Sequence, residues 1–337
     1  MVMADSQNYS SRIAHIITPN NIYALYEVAH VKGHTSWLRD VTFSRDSQYL
    51  ITASNDKTIR LWDARMNRQI EQIECLKDHY AAVWSVSANY KGTLLASGGS
   101  DATVRIWALQ RGDVYQHIEI ADHNEPIYDV EFSPNGRYLA SSSHDGMVRI
   151  RDISNLMTTS RFRTGILSSH ISHVYDVAFS PDSQWIATAS RESIVRLWNV
   201  HVHNVLQLNT TKPRQIALHA SWVNHVEFSP NGQYLASASH DTTIRLWDMK
   251  QQQEVAILNG HRDSVSSIAF SPDGRLLASV GKDKTLRLWN VQEKRLLISI
   301  EDEEWVNCVT FSPNGYYLAT GNGAGIARIW GINRDIL

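Results

Sequence analysis

The sequence is poor in the features that mark secreted, membrane-bound and nucleic-acid-binding proteins. Its 337 residues include two cysteines, Cys75 and Cys308, which are too few for a disulfide framework and fit a reducing compartment. The net charge of −2 provides no basic field, which argues against direct nucleic-acid binding. Neither a long apolar run nor a signal-peptide pattern occurs, so we expect no membrane partner. These absences predict a cytoplasmic protein, with the nucleus as an open alternative.

Motifs of common enzyme classes are also missing. The sequence has no Gly-x-Gly-x-x-Gly, no phosphate-binding loop and no nucleophile elbow. His201 and His203 have the spacing of two metal ligands on a strand, but no carboxylate or cysteine lies near them in the sequence. We therefore expect no cofactor, no bound metal and no catalytic activity.

A segment of 41 to 49 residues recurs seven times along the chain. The copy at residues 260–290 begins with Gly-His, continues with two alternating apolar runs joined by a Ser-Pro-Asp-Gly turn, and ends with Leu-Trp-Asn. Alternation predicts half-buried strands, and Pro and Gly supply the backbone angles of a tight turn. The repeat length lies in the range of β-propeller blades. The residues that precede the turn are Phe43, Ala88, Phe132, Phe179, Phe228, Phe270 and Phe311.

Each copy is bounded by a pair that resembles Gly-His and a pair that resembles Trp-Asp. Examples are Gly33-His34 with Trp62-Asp63 and Gly260-His261 with Trp289-Asn290. On these residues the chain resembles the WD-repeat family of the transducin β-subunit type, from about residue 22 to residue 332. The resemblance implies an all-β fold, a seven-bladed propeller whose four-stranded antiparallel blades surround a central channel.

The seventh copy ends just after Trp330 and lacks a fourth strand. Residues 22–31 have strand composition, so we predict that they form the outer strand of blade seven and close the ring, which removes an exposed sheet edge. A monomeric propeller is expected over residues 22–337. Residues 1–21 are expected to form a flexible N-terminal arm.

His, Ser or Thr, and Asp recur together and superficially resemble a catalytic triad. A catalytic set occurs once, whereas this set occurs once per copy at a fixed offset from Trp, which indicates buried hydrogen-bonded tetrads that tie three strands together. Blade three has Arg151 for Trp, blade four has Glu192 for Asp, and blade seven has Asp302 and Ala324 for His and Asp. Blade seven should therefore be the weakest. The complete tetrads are predicted from His34, Thr52, Asp56 and Trp62; His79, Ser97, Asp101 and Trp107; His219, Ser237, Asp241 and Trp247; and His261, Ser279, Asp283 and Trp289.

Family propellers present three positions of each blade at the top mouth of the channel: the third and fifth residues after the motif His, and the residue before the motif Asp. Of these 21 positions, six are aromatic, three are Arg or Lys, three are His and none is Asp or Glu. Lys212-Pro213-Arg214 are expected on the same face. Exposed aromatic residues and Arg anchor protein interfaces. The candidate partner-binding residues are Trp37, Arg39, Trp84, Tyr128, His144, His173, Tyr175, Arg191, Trp222, Asn224, His240, Lys282, Trp305 and Asn307.

We therefore expect a non-catalytic scaffold, working in a multiprotein complex, whose top face binds peptides or loops with acidic, phosphorylated or aromatic residues. The other interpretation of this set is that the rings simply pack against one another around the channel. Ser264 and Ser266 predict a gap in the ring of aromatics at blade six.

Two other functions stay open. Trp62–Arg65 resembles the Trp-Asp-x-Arg box by which some WD-repeat proteins join cullin-type ubiquitin ligases as substrate receptors, although Arg65 also fits an ordinary surface charge. The aromatic mouth alternatively fits a reader of phosphorylated or methylated peptides. The lack of carboxylates argues against a methylated cation, because such a ligand would meet Arg39, Arg191 and Lys282.

Overall fold

The computed structural model describes residues 16–65, 70–110, 113–156, 162–200 and 212–333. Within these ranges, 28 strands form seven four-stranded antiparallel sheets. The first strands of successive sheets contact one another, and the first strand of the last sheet contacts that of the first. The predicted seven-bladed propeller is therefore confirmed.

The blades follow the order of the chain. Blade one contains β2 to β5 (Leu38–Phe43, Tyr49–Ser54, Ile59–Asp63, Gln72–Leu76), blade two β6 to β9 (Val83–Ala88, Leu94–Gly99, Val104–Gln110, Asp113–Ile120) and blade three β10 to β13 (Ile127–Phe132, Tyr138–Ser143, Val148–Asp152, Arg163–Leu167). Blade four contains β14 to β17 (Val174–Phe179, Trp185–Ser190, Ile194–Asn199, Arg214–Leu218) and blade five β18 to β21 (Val223–Phe228, Tyr234–Ser239, Ile244–Asp248, Gln253–Leu258). Blade six contains β22 to β25 (Val265–Phe270, Leu276–Gly281, Thr285–Asn290, Arg295–Glu301), and blade seven contains β26 to β28 (Val306–Phe311, Leu318–Asn322, Ile326–Ile332) together with β1 (Leu25–Lys32).

The N-terminal strand closes the ring, as predicted. β1 runs antiparallel to β28, from the pair Leu25 and Ile332 to the pair Lys32 and Ile326. The predicted strand began at residue 22, which is wrong by three residues because Ile22–Ala24 form a 3-10 turn whose last N–H donates to the Asn21 carbonyl. Of the expected arm, residues 1–15 lie outside the described residues.

The core lies between neighbouring blades. The fourth residue after each motif His, or after Asp302 in blade seven, points into this core. All seven of these side chains are at most 1% exposed: Leu38, Val83, Ile127, Val174, Val223, Val265 and Val306. One cluster, for example, packs Ile51 and Leu61 of blade one against Val83 and Trp107 of blade two. Burying an aliphatic side chain of this kind stabilises the fold by about 1.5–3 kcal/mol. The blades are thus held side by side by apolar contact.

Candidate functional site: the top face and its supporting tetrads

The predicted tetrads form where three strands of a blade meet. In blade one, His34 Nδ1 lies 2.8 Å from Asp56 Oδ2 and His34 Nε2 lies 2.8 Å from Thr52 Oγ1, which accepts the Trp62 indole N–H over 2.9 Å. Burial alone would raise the pKa of Asp56, but hydrogen bonds from His34 and Thr58 bring it below its ordinary value. Blades two and six repeat this geometry. Each set joins the top loop to the second and third strands.

Blade five departs from the predicted tetrad. His219 lies 3.0 Å from Asp241 and 2.7 Å from Ser237, but the buried Trp247 Nε1 has no hydrogen-bond partner among the described residues. The expected membership of Trp247 is therefore wrong. Its ring instead packs beside Trp185 between blades four and five.

The substituted blades build replacement networks. In blade three, Arg151 is fully buried, donates to Ser141 Oγ over 2.9 Å and forms an ion pair with Asp122. In blade four, Glu192 lies 3.3 Å from His170 Nδ1 and accepts from Arg196 over 2.6 Å. These charged partners preserve the link between strands where the usual residue is missing.

Blade seven replaces its missing His with a carboxylate network. Asp302 accepts hydrogen bonds from Asn322 over 3.1 Å and from Arg328 over 2.8 Å. Arg328 also donates to Glu27 of β1 over 2.8 Å. The network therefore joins the closing strand to the rest of blade seven.

The aromatic candidates of the top face contact one another in sequence around the mouth. The ring centroids of Trp84 and Tyr128 are 5.0 Å apart, those of Tyr128 and Tyr175 4.9 Å, and those of Tyr175 and Trp222 6.3 Å. Trp37 and Trp305 form a separate edge-to-face pair at 5.6 Å. The rings thus do pack against one another.

Three tryptophans nevertheless stay accessible, because Trp37, Trp222 and Trp305 are 38%, 38% and 39% exposed. Blade six contributes no ring to this arrangement: Ser264 is buried and Ser266 is half-buried. The sequence-predicted gap at blade six is thus present in the structure.

Each of the three candidate cations lies against a tryptophan ring. The guanidinium carbon of Arg39 is 5.2 Å from the Trp37 centroid and 5.9 Å from that of Trp84. The guanidinium carbon of Arg191 lies 4.7 Å from the centroid of the Trp222 ring. Burial lowers the pKa of Arg39, whose Nε donates to Asn55 over 2.8 Å. The Nζ atom of Lys282 lies 5.7 Å from the centroid of the Trp305 ring.

Three histidines complete the top face. The rings of His144 and His173 meet edge to face with centroids 3.5 Å apart, and His173 Nε2 lies 3.3 Å from Arg191 Nη1. Burial, followed by the charges of His144 and Arg191, lowers the pKa of His173. The His240 ring is 5.3 Å from that of Trp222. The histidines therefore lie with the aromatic residues of blades three to five.

The two candidate asparagines are engaged within the propeller. The amide of Asn224 donates to Ser264 Oγ and to the Val265 carbonyl, over 2.9 and 2.8 Å, and that of Asn307 donates to the Leu38 carbonyl over 2.8 Å. Both therefore tie one blade to the next. The N–H groups that make these bonds point towards the neighbouring blade and so do not face a ligand.

Arg214 was expected on the top face, and that expectation is wrong. It begins β17 and pairs with Leu197 near the end of β16, at the opposite end of the blade from the turn at Arg191. Its guanidinium lies 5.8 Å from the Trp185 ring and donates to Gln252 over 3.3 Å. The reversal follows from strand direction, because the chain enters β17 from the bottom.

Sequence reasoning missed a set of carboxylates that line the channel. Asp40 accepts the Val86 N–H over 2.9 Å and Asp176 accepts the Val226 N–H over 2.7 Å, so each carboxylate bonds the next blade. Burial raises the pKa of Asp40 to about 7 and that of Asp176 to about 8. The signal was present in the sequence, since these residues lie six positions after the motif His and alternate with buried strand residues.

Three further carboxylates continue the set. Glu227 accepts the Phe270 N–H over 2.9 Å, and Glu131 accepts the Phe179 N–H over 2.6 Å. Asp129 accepts from Ser85 Oγ over 2.7 Å. Burial raises the pKa of Glu227 to about 8, that of Asp129 to about 7 and that of Glu131 well above its ordinary range. The channel wall is acidic in composition but favours protonated carboxyl groups near neutral pH.

The residue that marked the ligase box has a local partner. Arg65 is exposed, donates from Nε to Asp63 Oδ1 over 2.8 Å and also bonds Asp63 through Nη2. In the part of the chain that the structure describes, no group of three or more His, Cys, Asp or Glu side chains is arranged for a metal ion, and no helix is long and apolar enough to cross a membrane. His201 and His203 lie outside the described residues.

Comparison with known proteins gives partial matches to several proteins. The chain is 30% identical to nuclear distribution protein PAC1 of Arthroderma otae over 149 residues, covering 38% of this chain and 32% of that protein. It is 28% identical over 129 residues to eukaryotic translation initiation factor 3 subunit I of Neosartorya fischeri, with coverages of 37% and 36%. Human striatin-4 is 29% identical over 143 residues, with coverages of 37% and 19%. The matches thus span about a third or less of these relatives.

The family comparison covers most of the chain. The WD40 family, described as WD domain, G-beta repeat, matches seven times, at residues 26–63, 70–108, 115–152, 162–199, 211–248, 252–290 and 295–331. Each match ends at most two residues from the last residue of the third strand of a blade. The chain belongs to the WD40 repeat family.

Proposed function

We propose that this protein is a non-catalytic interaction scaffold whose top face binds an extended segment of a partner protein. The observation that carries the proposal is the juxtaposition of accessible tryptophans with cations. Arg191 over Trp222 and Lys282 over Trp305 are exposed pairs of this kind, and among the described residues neither cation has a carboxylate within ion-pair distance. Aromatic rings and Arg are the residues that anchor protein interfaces.

The charge of the mouth favours a partner segment with acidic or phosphorylated groups. An exposed guanidinium over an indole ring still has N–H groups that can donate to a carboxylate or phosphate. The cations that favour an anion disfavour a methylated lysine or arginine, which supports the acidic peptide over the methyl-reader alternative. The ligase-receptor alternative receives no support from Arg65, because Asp63 occupies its guanidinium.

Assembly into a multiprotein complex is part of the same proposal. The name of translation initiation factor 3 subunit I states that this relative is a subunit of a larger factor. A ring of loops with one aromatic mouth suits such a role, because the rigid blades hold the contact residues in place while leaving them accessible.

The test compares two matched pairs of substitutions on opposite faces. The top variant combines Arg191→Ala with Trp222→Ala, and the bottom control combines Arg45→Ala with Tyr90→Ala, another cation and ring in contact, 4.2 Å apart. Affinity purification with quantitative mass spectrometry should show partners lost by the top variant and retained by the control. Thermal unfolding establishes that both are folded. If the folded top variant kept the full set of partners, the proposal would be wrong.

A further inference from the structure

We infer that the partner segment leaves the channel mouth across the top of blade four, and that it places a bulky apolar side chain there, next to the anionic group held by Arg191. This inference rests on the proposed function and extends it to one side of the ring. The surface concerned consists of Ile171, Arg191, Leu218 and Trp222 and is called the blade-four ridge.

Two aliphatic side chains of this ridge are unusually exposed. Ile171 is 92% exposed and Leu218 is 67% exposed, whereas Trp222 beside them is 38% exposed. Single exposed apolar residues are common on proteins and need no explanation. Ile171 and Leu218, however, both adjoin the turn at residues 191–194 that presents Arg191, and exposed apolar residues grouped in this way mark interaction sites.

The repeat shows that the fold does not require these residues. The residue before the motif His is Leu218 at the end of blade four, and at the other blade junctions it is Gly33, Asp78, Asp122, Ser169, Gly260 or Glu301. The residue after the motif His is Ile171 in blade four, and elsewhere it is Thr35, Tyr80, Asn124, Ala220, Arg262 or Glu303. The other blades fold without a large aliphatic side chain at these two positions. Ile171 and Leu218 therefore point to a role outside the propeller.

The exposure of Leu218 has a local cause in the length of the connection. In blades one, three and five the last leucine of the outer strand is buried and two residues separate it from the motif His, as Leu258 is separated from His261. In blade four no residue separates Leu218 from His219, and Ala217 takes the buried position with 4% exposure. The shortened connection turns Leu218 to solvent.

The turn at Arg191 connects these residues into one surface. The Ile171 N–H donates to Glu192 over 2.8 Å, and Leu218 pairs with Ile194 two residues further on. Arg191 itself reaches over Trp222 of blade five. The apolar residues therefore flank the same turn that presents the cation.

Charge complementarity selects the occupant. Among the described residues, no carboxylate forms an ion pair with Arg191, and its guanidinium contacts the rings of His173 and Trp222 on the top face. A partner segment that supplies a carboxylate or phosphate to Arg191, and an apolar side chain to Ile171 and Leu218, satisfies both parts of the ridge. A second copy of this chain would match the apolar part through its own Ile171 and Leu218 but would bring Arg191 toward Arg191.

The experiment uses a phage-displayed library of random peptides selected on the purified protein. Peptides that lose binding to the Arg191→Ala variant are kept, and one is labelled for fluorescence anisotropy. We expect selected sequences to combine Asp or Glu with a nearby Leu, Ile, Met or Phe. Ile171→Ser and Leu218→Ser should each weaken binding of the labelled peptide about tenfold. Ile257→Ser is the matched control, since Ile257 is 42% exposed on the outer strand of blade five.

The outcomes separate this inference from the function on which it rests. If Arg191→Ala abolishes binding while Ile171→Ser and Leu218→Ser leave the Kd within twofold of wild type, the ridge has no such role and the top-face function stands. If no selected peptide depends on Arg191, both are wrong. Sedimentation equilibrium decides the remaining case, because a wild-type dimer that Leu218→Ser converts to monomer would assign the ridge to self-association.

Discussion

Arg151 donates to Ser141 over 2.9 Å, in the place where five other blades use a tryptophan indole. The guanidinium is fully buried and also pairs with Asp122, whose side chain is one-third exposed. A buried cation stays favourable only while its partners are in place. Blade three thus carries an ionic version of a bond that is neutral elsewhere.

We expect Arg151→Ala to lower the free energy of unfolding by about 3 kcal/mol, because it leaves Asp122 without its cation and a cavity in the blade. Arg137→Ala provides the control, since its pair with Asp152 is at the surface and should contribute at most about 1 kcal/mol. Urea unfolding followed by tryptophan fluorescence measures both. Equal losses would show that burial does not decide the contribution of Arg151.

The tryptophans of blades one and five should respond differently to removal of the indole N–H. Trp62 donates to Thr52, whereas Trp247 has no hydrogen-bond partner among the described residues. Trp62→Phe should therefore cost about 1 kcal/mol more than Trp247→Phe. Both variants also lose ring volume, and because Trp62 is buried whereas Trp247 is half-buried, this loss adds to the difference in the same direction. Chemical denaturation of the two proteins tests this, and an equal cost would contradict the difference in bonding.

The channel carboxylates predict that stability falls as the pH rises from about 4 to about 8. Their folded pKa values are raised, to about 8 for Asp176 and Glu227, whereas in the unfolded chain they ionise near pH 4. The folded state therefore binds more protons, and stability present at low pH is lost as pH rises through the folded pKa. Between pH 6.5 and 8 each such group should lower the free energy of unfolding by on the order of 1 kcal/mol.

Between pH 6.5 and 8, protonation of the buried histidines does not change the stability in the opposite direction. Burial lowers the pKa of His123 and His219, and that of His170 to about 4, so their contribution is lost only as pH falls below about 6.5. Asp176→Asn can still accept the Val226 N–H and should flatten the decline above pH 6.5. Thermal unfolding of both proteins between pH 6.5 and 8 checks this prediction. If stability declined with pH as steeply in the variant as in the wild type, Asp176 would not be a source of the decline.

Ring closure should depend on Arg328 more than on its half-buried partner Glu27. Arg328 bonds both Glu27 of the closing strand and Asp302, whose side chain is 7% exposed. Arg328→Ala leaves the buried Asp302 charge without its cation, so we expect a loss of about 2–3 kcal/mol. Glu27→Ala removes only a half-buried carboxylate and should cost at most about 1 kcal/mol. Calorimetric unfolding of the two variants would show equal losses if the contact with Glu27 of β1 dominated.

The sequence by itself determined the number of blades, the strand order and the position of the closing strand. Seven copies of one repeat set the number of blades, and the resemblance to the WD-repeat family implied four strands per blade and a closing strand from residues before the first copy. Those inferences depend on local periodicity and on edge closure, which the sequence carries directly.

The tertiary structure decided which side chains of the top face are available. Asn224 and Asn307 are two of the residues that the sequence predicts to bind a partner, yet their amides bond the neighbouring blade. Trp247 has the same spacing as Trp62, yet it lacks the tetrad bond. Spacing along the chain places a residue on a face, whereas packing decides its hydrogen-bond partner: Asn224 bonds Val265, 41 residues away, and Asn307 bonds Leu38, 269 residues away. Only the packed ring brings these partners together, and it alone places Leu218 opposite Ile194, close to Arg191 in the chain.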